Sequence, residues 1–175
     1  MHECNKCQEY ELNFNRGYKP VEFIEGKKNS LVWIIGLNPK EEQNWVDNRT
    51  ADDLENCFSY LQPIPDYFKG FNSVSEIVFD GFGKDCGTAH TDLVKCSSRS
   101  FPPNSARSKH EIIDNCKGYL KTQIEQYKPK VIVCNGVDVS RFMIDFLPPE
   151  KDFTNNQTRF LVIGNLVVEK SSKDK

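Results

Sequence analysis

Apolar residues in this chain fall into a few short blocks set between polar stretches. Leu31 to Leu37 (LVWIIGL) is a continuous apolar run bounded by Asn29-Ser30 and Asn38-Pro39. An unbroken run of this length predicts a strand buried on both faces, as at the centre of a parallel sheet. Thr88 to Cys96, Val131 to Cys134 (VIVC) and Phe160 to Ile163 (FLVI) predict three further strands. Between them the period changes. Leu54, Cys57, Phe58 and Leu61 share a helical face that Pro63 stops, and Val137 to Phe146 reads as another helix. The clearest helical stripe is Ile112, Ile113, Cys116, Leu120, Ile124 and Tyr127, opened by Ser108-Lys-His-Glu111 at capping-box spacing and closed by Pro129.

Strands alternating with helices predict an α/β fold: a parallel four-stranded sheet with helices on both faces, joined by right-handed crossovers. Ligands of such sheets gather at the carboxyl ends of the strands. Here those ends carry Gly36-Leu-Asn-Pro39, Asp92 to Cys96, Asn135-Gly136 and Gly164-Asn165. No Pro/Gly/Ser-rich tract divides the chain, so a single domain over residues 1–168 is expected, followed by a short polar tail at 169–175.

A formal net charge of −2 argues against a generally basic nucleic-acid coat, though not against a local basic patch. One such patch runs from Lys95 to His110, where Lys95, Arg99, Arg107 and Lys109 occur without a carboxylate. It reads as a loop facing phosphates or as an ordinary solvated loop. With no basic-then-apolar leader and no apolar run near the roughly 18 residues of a membrane span, a cytoplasmic monomer without a membrane partner is expected. In a reducing compartment, seven cysteines point to metal ligation or burial rather than to a disulfide framework. Cys4-x-x-Cys7 can grip one edge of a metal or cluster, with Cys96 and Cys116 closing the other side. Taken singly, Cys116 and Cys134 also read as core residues.

The order of these motifs resembles the uracil-DNA glycosylase superfamily, particularly its families that carry an iron-sulfur cluster. The elements are Cys4/Cys7, Gly36-Leu37-Asn38-Pro39-Lys40 after the first buried strand, Asp92-Leu93-Val94-Lys95-Cys96, Cys116 on the next helix, and Pro129-Lys130-Val131-Ile132-Val133. The resemblance implies a uracil-DNA-glycosylase-like fold and a DNA partner containing a damaged or deaminated base. The base would be rotated out of the duplex and its N-glycosidic bond hydrolysed. Cys4, Cys7, Cys96 and Cys116 would then hold a [4Fe-4S] cluster, with zinc as the alternative.

The same resemblance assigns the site. Asn38 would position the attacking water, its carbonyl accepting from water and its amide anchored to backbone, unless Asn-Pro merely ends the strand. Gly36 would let the backbone approach the base, or serve only the turn. Trp45 would stack on the base, in competition with Tyr67, Phe68 and Phe71. Two positions depart from the family. Asp92 stands where the family usually has Asn, and an ionised Asp accepts hydrogen bonds but cannot donate one to uracil O4. The family's His-Pro-Ser-like loop, whose histidine stabilises the departing base, is replaced by Gly164-Asn165-Leu166. His90 shares strand parity with Asp92 and would face the same pocket. Two other readings remain: a catalytically inactive member that binds bases or nucleotides, and a zinc-stabilised Rossmann-like domain unrelated to DNA.

Overall fold

The computed structural model describes residues 2–12, 14–40, 48–60, 63–103 and 106–146 and the strand Arg159–Val162, with residues 106–108 and 159–162 described by their backbone alone. The chain opens with an antiparallel pair, β1 (His2–Cys4) and β2 (Phe14–Arg16), in which Cys4 lies opposite Phe14. The first strand of the main sheet is β3 (Val32–Gly36). Four short helices follow: α1 (Ala51–Glu55), α2 (Cys57–Tyr60), α3 (Asp66–Lys69) and α4 (Glu76–Asp80). Then come β4 (Thr88–Asp92), the long α5 (Ala106–Tyr127), β5 (Val131–Cys134), α6 (Val137–Phe146) and β6 (Arg159–Val162).

The main sheet has the order β4-β3-β5-β6, every pair parallel. Each strand alternates its side chains between two layers, as the twofold period of a strand requires. Ile35, Ile132 and Cys134 pack with Ile112, Cys116, Leu120 and Ile124 of α5 and Val139 and Met143 of α6. Ile34 and Val133 face the opposite way, into Cys57, Phe58, Phe68, Phe71 and Phe82. Helices therefore cover both faces, and the short-helix side is largely aromatic. The rings pack edge to face; Phe68, for example, lies 5.0 Å from Phe58 at 84°.

Three expectations about element limits are corrected. The helix expected across Leu54 to Phe58 is broken at Asn56, which lies outside helical geometry at φ −104°, ψ 8°; Leu61 lies outside the described residues. The strand expected from Thr88 to Cys96 stops at Asp92, because the Lys95 amine turns back onto the Asp92 carbonyl and the Thr91 hydroxyl. α5 begins two residues before Ser108, so Ser108 lies inside the helix and cannot cap it, while Glu111 accepts from the Tyr10 hydroxyl instead. The polar tail at 169–175 lies outside the described residues. Among the described residues, no helix is long and apolar enough to cross a membrane.

The core of this fold is the α5 face. Leu120→Ala removes a side chain with no exposure and is expected to destabilise the protein by about 2–5 kcal/mol. Ile77→Ala, at an 85 % exposed position, is expected to change stability by less than about 0.5 kcal/mol. Urea denaturation of the two variants beside the parent chain checks both.

Candidate functional site

The parallel register sets Gly36 opposite Asp92 and Ile34 opposite His90, so both β4 side chains project into the aromatic layer at the carboxyl ends of the strands. The parity expected of His90 and Asp92 is observed. A Cβ on Gly36 would lie 2.2 Å from Asp92 Oδ1, 3.0 Å from the Tyr67 hydroxyl and 3.1 Å from His90 Nε2. The missing side chain is what lets three polar atoms converge over the end of β3.

From this point a line of hydrogen bonds runs inward. Asn135 Nδ2 donates to the Tyr67 hydroxyl at 3.0 Å, and that hydroxyl lies 3.1 Å from His90 Nε2. On the other side of the ring, Nδ1 lies 2.9 Å from Glu25 Oε2, and Arg49 Nη1 lies 3.3 Å from Glu25 Oε1. Glu25 is held there by its backbone, which exchanges two hydrogen bonds with His90 (2.7 and 2.8 Å). The rings of Tyr67 and Phe68 each stand 5.3 Å from the imidazole.

The electrostatics follow from these distances. Burial pushes Glu25 up, but hydrogen bonding and attraction from His90 and then Arg49 outweigh it and leave its carboxyl below the ordinary value. Burial pushes His90 down, and the opposing pull of Asp92 and Glu25 leaves it above the ordinary histidine value. Asp92, whose Oδ1 is 3.8 Å from His90 Nε2, is pushed up by burial to about 6. Burial of its hydroxyl, then the charge of Asp92, raises Tyr67.

Asn38 sits half-buried just past β3. Its Nδ2 donates to the Pro39 carbonyl at 3.0 Å and to Ser98 Oγ at 2.9 Å. A carbonyl can only accept, so this pairing fixes the amide orientation and directs Oδ1 away from it. No partner of Oδ1 is found among the described residues.

Lys95 does not belong with the phosphate-facing residues. It is 2 % exposed, and its ammonium donates to Thr91 Oγ1 (2.8 Å), Gln123 Oε1 (2.8 Å) and the Asp92 carbonyl. All three of its protons are used inside the protein, on the α5 side of β4. Burial pulls Lys95 down to about 7. Arg99 is exposed, and Lys109 is paired with Asp138 at 2.5 Å. The side chain of Arg107, Trp45 and the segment Gly164-Asn165-Leu166 lie outside the described residues.

The four cysteines approach one another on the α5 face. Cys7, Cys96 and Cys116 are buried in one cluster with Cys4 packed against it. Cys116 contacts both Cys7 and Cys96, while Cys4 Sγ lies 3.3 Å from the Tyr119 hydroxyl. Contact with Cys7 lowers the Cys116 thiol, but contact with Cys96 and burial push it up to about 11. Four sulfurs without a competing carboxylate or imidazole suit iron-sulfur or zinc chemistry. Cys7, Cys116 and Cys96 touch in that order and Cys4 meets the Tyr119 hydroxyl; among the described residues, no group of three or more His, Cys, Asp or Glu side chains is placed to hold a metal ion.

Glu25, Arg49 and Tyr67's link to His90 had no motif to announce them. The one available signal was a carboxylate following Phe23-Ile24, two residues that prove buried.

A carboxyl whose folded value lies above its unfolded value works against folding once the pH passes both. Asp92→Asn is therefore expected to stabilise the protein at pH 8 by on the order of 2 kcal/mol, the gain fading as pH falls from about 6 to about 4. Urea denaturation at pH 8, 6 and 4 measures it; a gain independent of pH would contradict this account. Lys95→Met strands three buried acceptors and should destabilise by about 3 kcal/mol, without altering the salt dependence of any DNA binding.

Residues 23–168 match the family model described as Uracil DNA glycosylase superfamily. No curated protein matches the chain. The matched stretch holds every residue of the strand-end site, with Cys96 and Cys116, while Cys4 and Cys7 precede it. On this match over most of its length, with the parallel α/β sheet and polar strand ends just described, the chain belongs to the uracil-DNA glycosylase superfamily.

Proposed function

We propose that this protein, acting as one domain over residues 1–168 with a four-stranded uracil-DNA-glycosylase-like sheet, hydrolyses the N-glycosidic bond of a deaminated or otherwise damaged base in DNA. The observation that carries the reading is the convergence of Asp92, His90 and Tyr67 over Gly36, beside an Asn38 whose amide is anchored. Asn38 Oδ1 holds the attacking water. Gly36 admits the extruded base, Asp92 meets its hydrogen-bonding edge, Trp45 offers it an aromatic face, and Tyr67, 47 % exposed, stands at its rim. Arg99, Arg107 and Lys109 contact phosphates, Lys109 exchanging its partly exposed partner Asp138 for the DNA backbone.

Cys4, Cys7, Cys96 and Cys116 hold a [4Fe-4S] cluster or, failing that, zinc. Such a group supplies structural cross-linking and the charge that keeps thiolates deprotonated. One of its ligands, Cys96, ends the turn after β4 and meets Cys116 of α5, so the group would steady the same strand end that carries Asp92.

The test is incubation of the anaerobically purified protein with an oligonucleotide bearing one deoxyuridine or another deaminated base, followed by alkali, beside iron and sulfide analysis. Strand cleavage is expected, reduced about 100-fold in Asn38→Ala. About four irons per chain are expected, lost in Cys4→Ala and Cys116→Ala. Retention of damaged DNA without cleavage would replace hydrolysis with base binding. A colourless zinc protein that ignores DNA would overturn the reading.

A further inference from the structure

His90 has hydrogen-bond partners on both ring nitrogens, and the proton count between them is constrained. Glu25 is held below the ordinary carboxylate value by His90 and Arg49 against the opposing effect of burial, so its Oε2, 2.9 Å from Nδ1, only accepts. Nδ1 therefore carries a hydrogen in both charge states of the ring. In the neutral ring Nε2 is a bare acceptor. Its neighbour is the Tyr67 hydroxyl at 3.1 Å, which has one hydrogen and must point it at Nε2. Asn135 Nδ2 fills a lone pair of that hydroxyl at 3.0 Å; the reverse orientation of the Asn135 amide would take Tyr67's hydrogen and leave Nε2 unsatisfied.

When His90 gains a second proton, Nε2 becomes a donor. The Tyr67 oxygen then accepts from both Asn135 and His90, and its own hydrogen has to find another acceptor. We propose that Tyr67 is a ligand-facing hydrogen-bond donor, and that protonation of His90 releases its hydroxyl hydrogen toward an acceptor oxygen bound beside Tyr67, on its exposed side. His90 and Glu25 are positioning residues: neither touches the ligand, and they act by setting the direction of one hydrogen.

The charged and titratable groups around the ring come from every element packed on it. Glu25 precedes β3, Asp92 and Lys95 belong to β4 and the turn after it, Tyr67 lies on α3, and Arg49 stands behind Glu25. The ring's net upward shift extends the donor state toward neutral pH, and the donor is lost as pH rises through that value.

The ligand's identity rests on the function proposed above, in which the acceptor is a carbonyl oxygen of the extruded base. There negative charge accumulates as the glycosidic bond breaks, so a donor aimed at it acts most strongly in the transition state.

The switch can be tested without activity. The chain has only His2, His90 and His110, so nitrogen-15 imidazole spectra are assignable by difference with His90→Gln. Neutral His90 is expected as the Nδ1–H form, titrating above ordinary histidine. Glu25→Gln should lower that midpoint by about one pH unit, and Tyr67→Phe should move the Nε2 signal while sparing Nδ1. An Nε2–H form, or a midpoint unmoved by Glu25→Gln, overturns the switch. Fluorescence anisotropy with a deoxyuridine-containing oligonucleotide, from pH 5.5 to 8.5, then tests the ligand. Binding or cleavage that falls as pH rises, with that dependence lost in Tyr67→Phe, supports the proposal. The same profile in parent and Tyr67→Phe overturns the ligand-facing role. The expected spectra without any DNA binding would support the switch and reject the glycosylase reading instead.

Discussion

The parallel pairing of β3 with β4, which sets Gly36 opposite Asp92, is the constraint on which the rest of the site depends. Strand alternation then sends His90 and Asp92 into the aromatic layer and Thr91 toward α5. A slip of one residue would exchange these sets, burying Thr91 among rings and sending both titratable groups to the other face. The register is held beyond the strands as well. The amides of Leu93 and Val94 donate to the carbonyls of Gly36 and Leu37, and Ser98 donates to Pro39. The turns that follow β3 and β4 are thereby one unit, which sets Asn38 and Asp92 at the same end of the sheet.

The second determinant is how buried charge is compensated. An ion removed from water is several kcal/mol less stable unless a partner stands close. Glu25 has two partners, an imidazole nitrogen at 2.9 Å and a guanidinium nitrogen at 3.3 Å, and its carboxyl falls below the ordinary range. Asp92 has the same imidazole only at 3.8 Å, and burial prevails, lifting it to about 6. Two carboxylates flanking one histidine are thus driven apart, one fixed as an acceptor and the other able to exchange its proton near neutrality. Such divergence is the usual condition for dividing acceptor and donor roles within a site. The surrounding phenylalanines keep water out and so preserve the difference.

What the sequence disclosed reflects which physical signals are local. Buried parallel strands announce themselves as unbroken apolar runs, and the stripe from Ile112 to Tyr127 has the period of a helix, so the α/β class, β3, β5, α5 and α6 were legible. The β1–β2 pair was not, because His2, Glu3, Asn15 and Arg16 give it no apolar alternation. Nor were α3 and α4, each one turn long in a stretch punctuated by Pro63, Pro65, Gly70 and Gly81. The parity of His90 and Asp92 could be read because it needs only the strand period. Glu25 and Arg49 could not, since their roles arise from chain segments far apart in sequence. Lys95 was misplaced for a related reason: among Lys95, Arg99, Arg107 and Lys109 the sequence shows four equivalent cations, and only tertiary burial separates the one whose protons are used internally.

That burial makes Lys95 a joint between the end of β4 and α5. Its ammonium reaches the Asp92 carbonyl at the end of β4 and Gln123 on α5, and Gln123 is itself fixed by donating to the carbonyls of Val21 and Phe23 at 3.0 Å each. The next residue, Cys96, touches Cys116, which lies two helical turns before Gln123 on the same side of α5. The turn ending β4 is therefore gripped twice by one helix, through an ammonium at Lys95 and through sulfur at Cys96. A change in either grip acts on the other because a single backbone turn joins them. Thiols that bind nothing give the weaker hold, since neutral sulfurs are poor donors and acceptors. Bridging the same sulfurs through a metal or cluster would replace that contact with bonds and fix the end of β4, and with it Asp92, against α5. On this argument the cysteines serve the polar site through the backbone they hold, although the sheet lies between them and the space over Gly36.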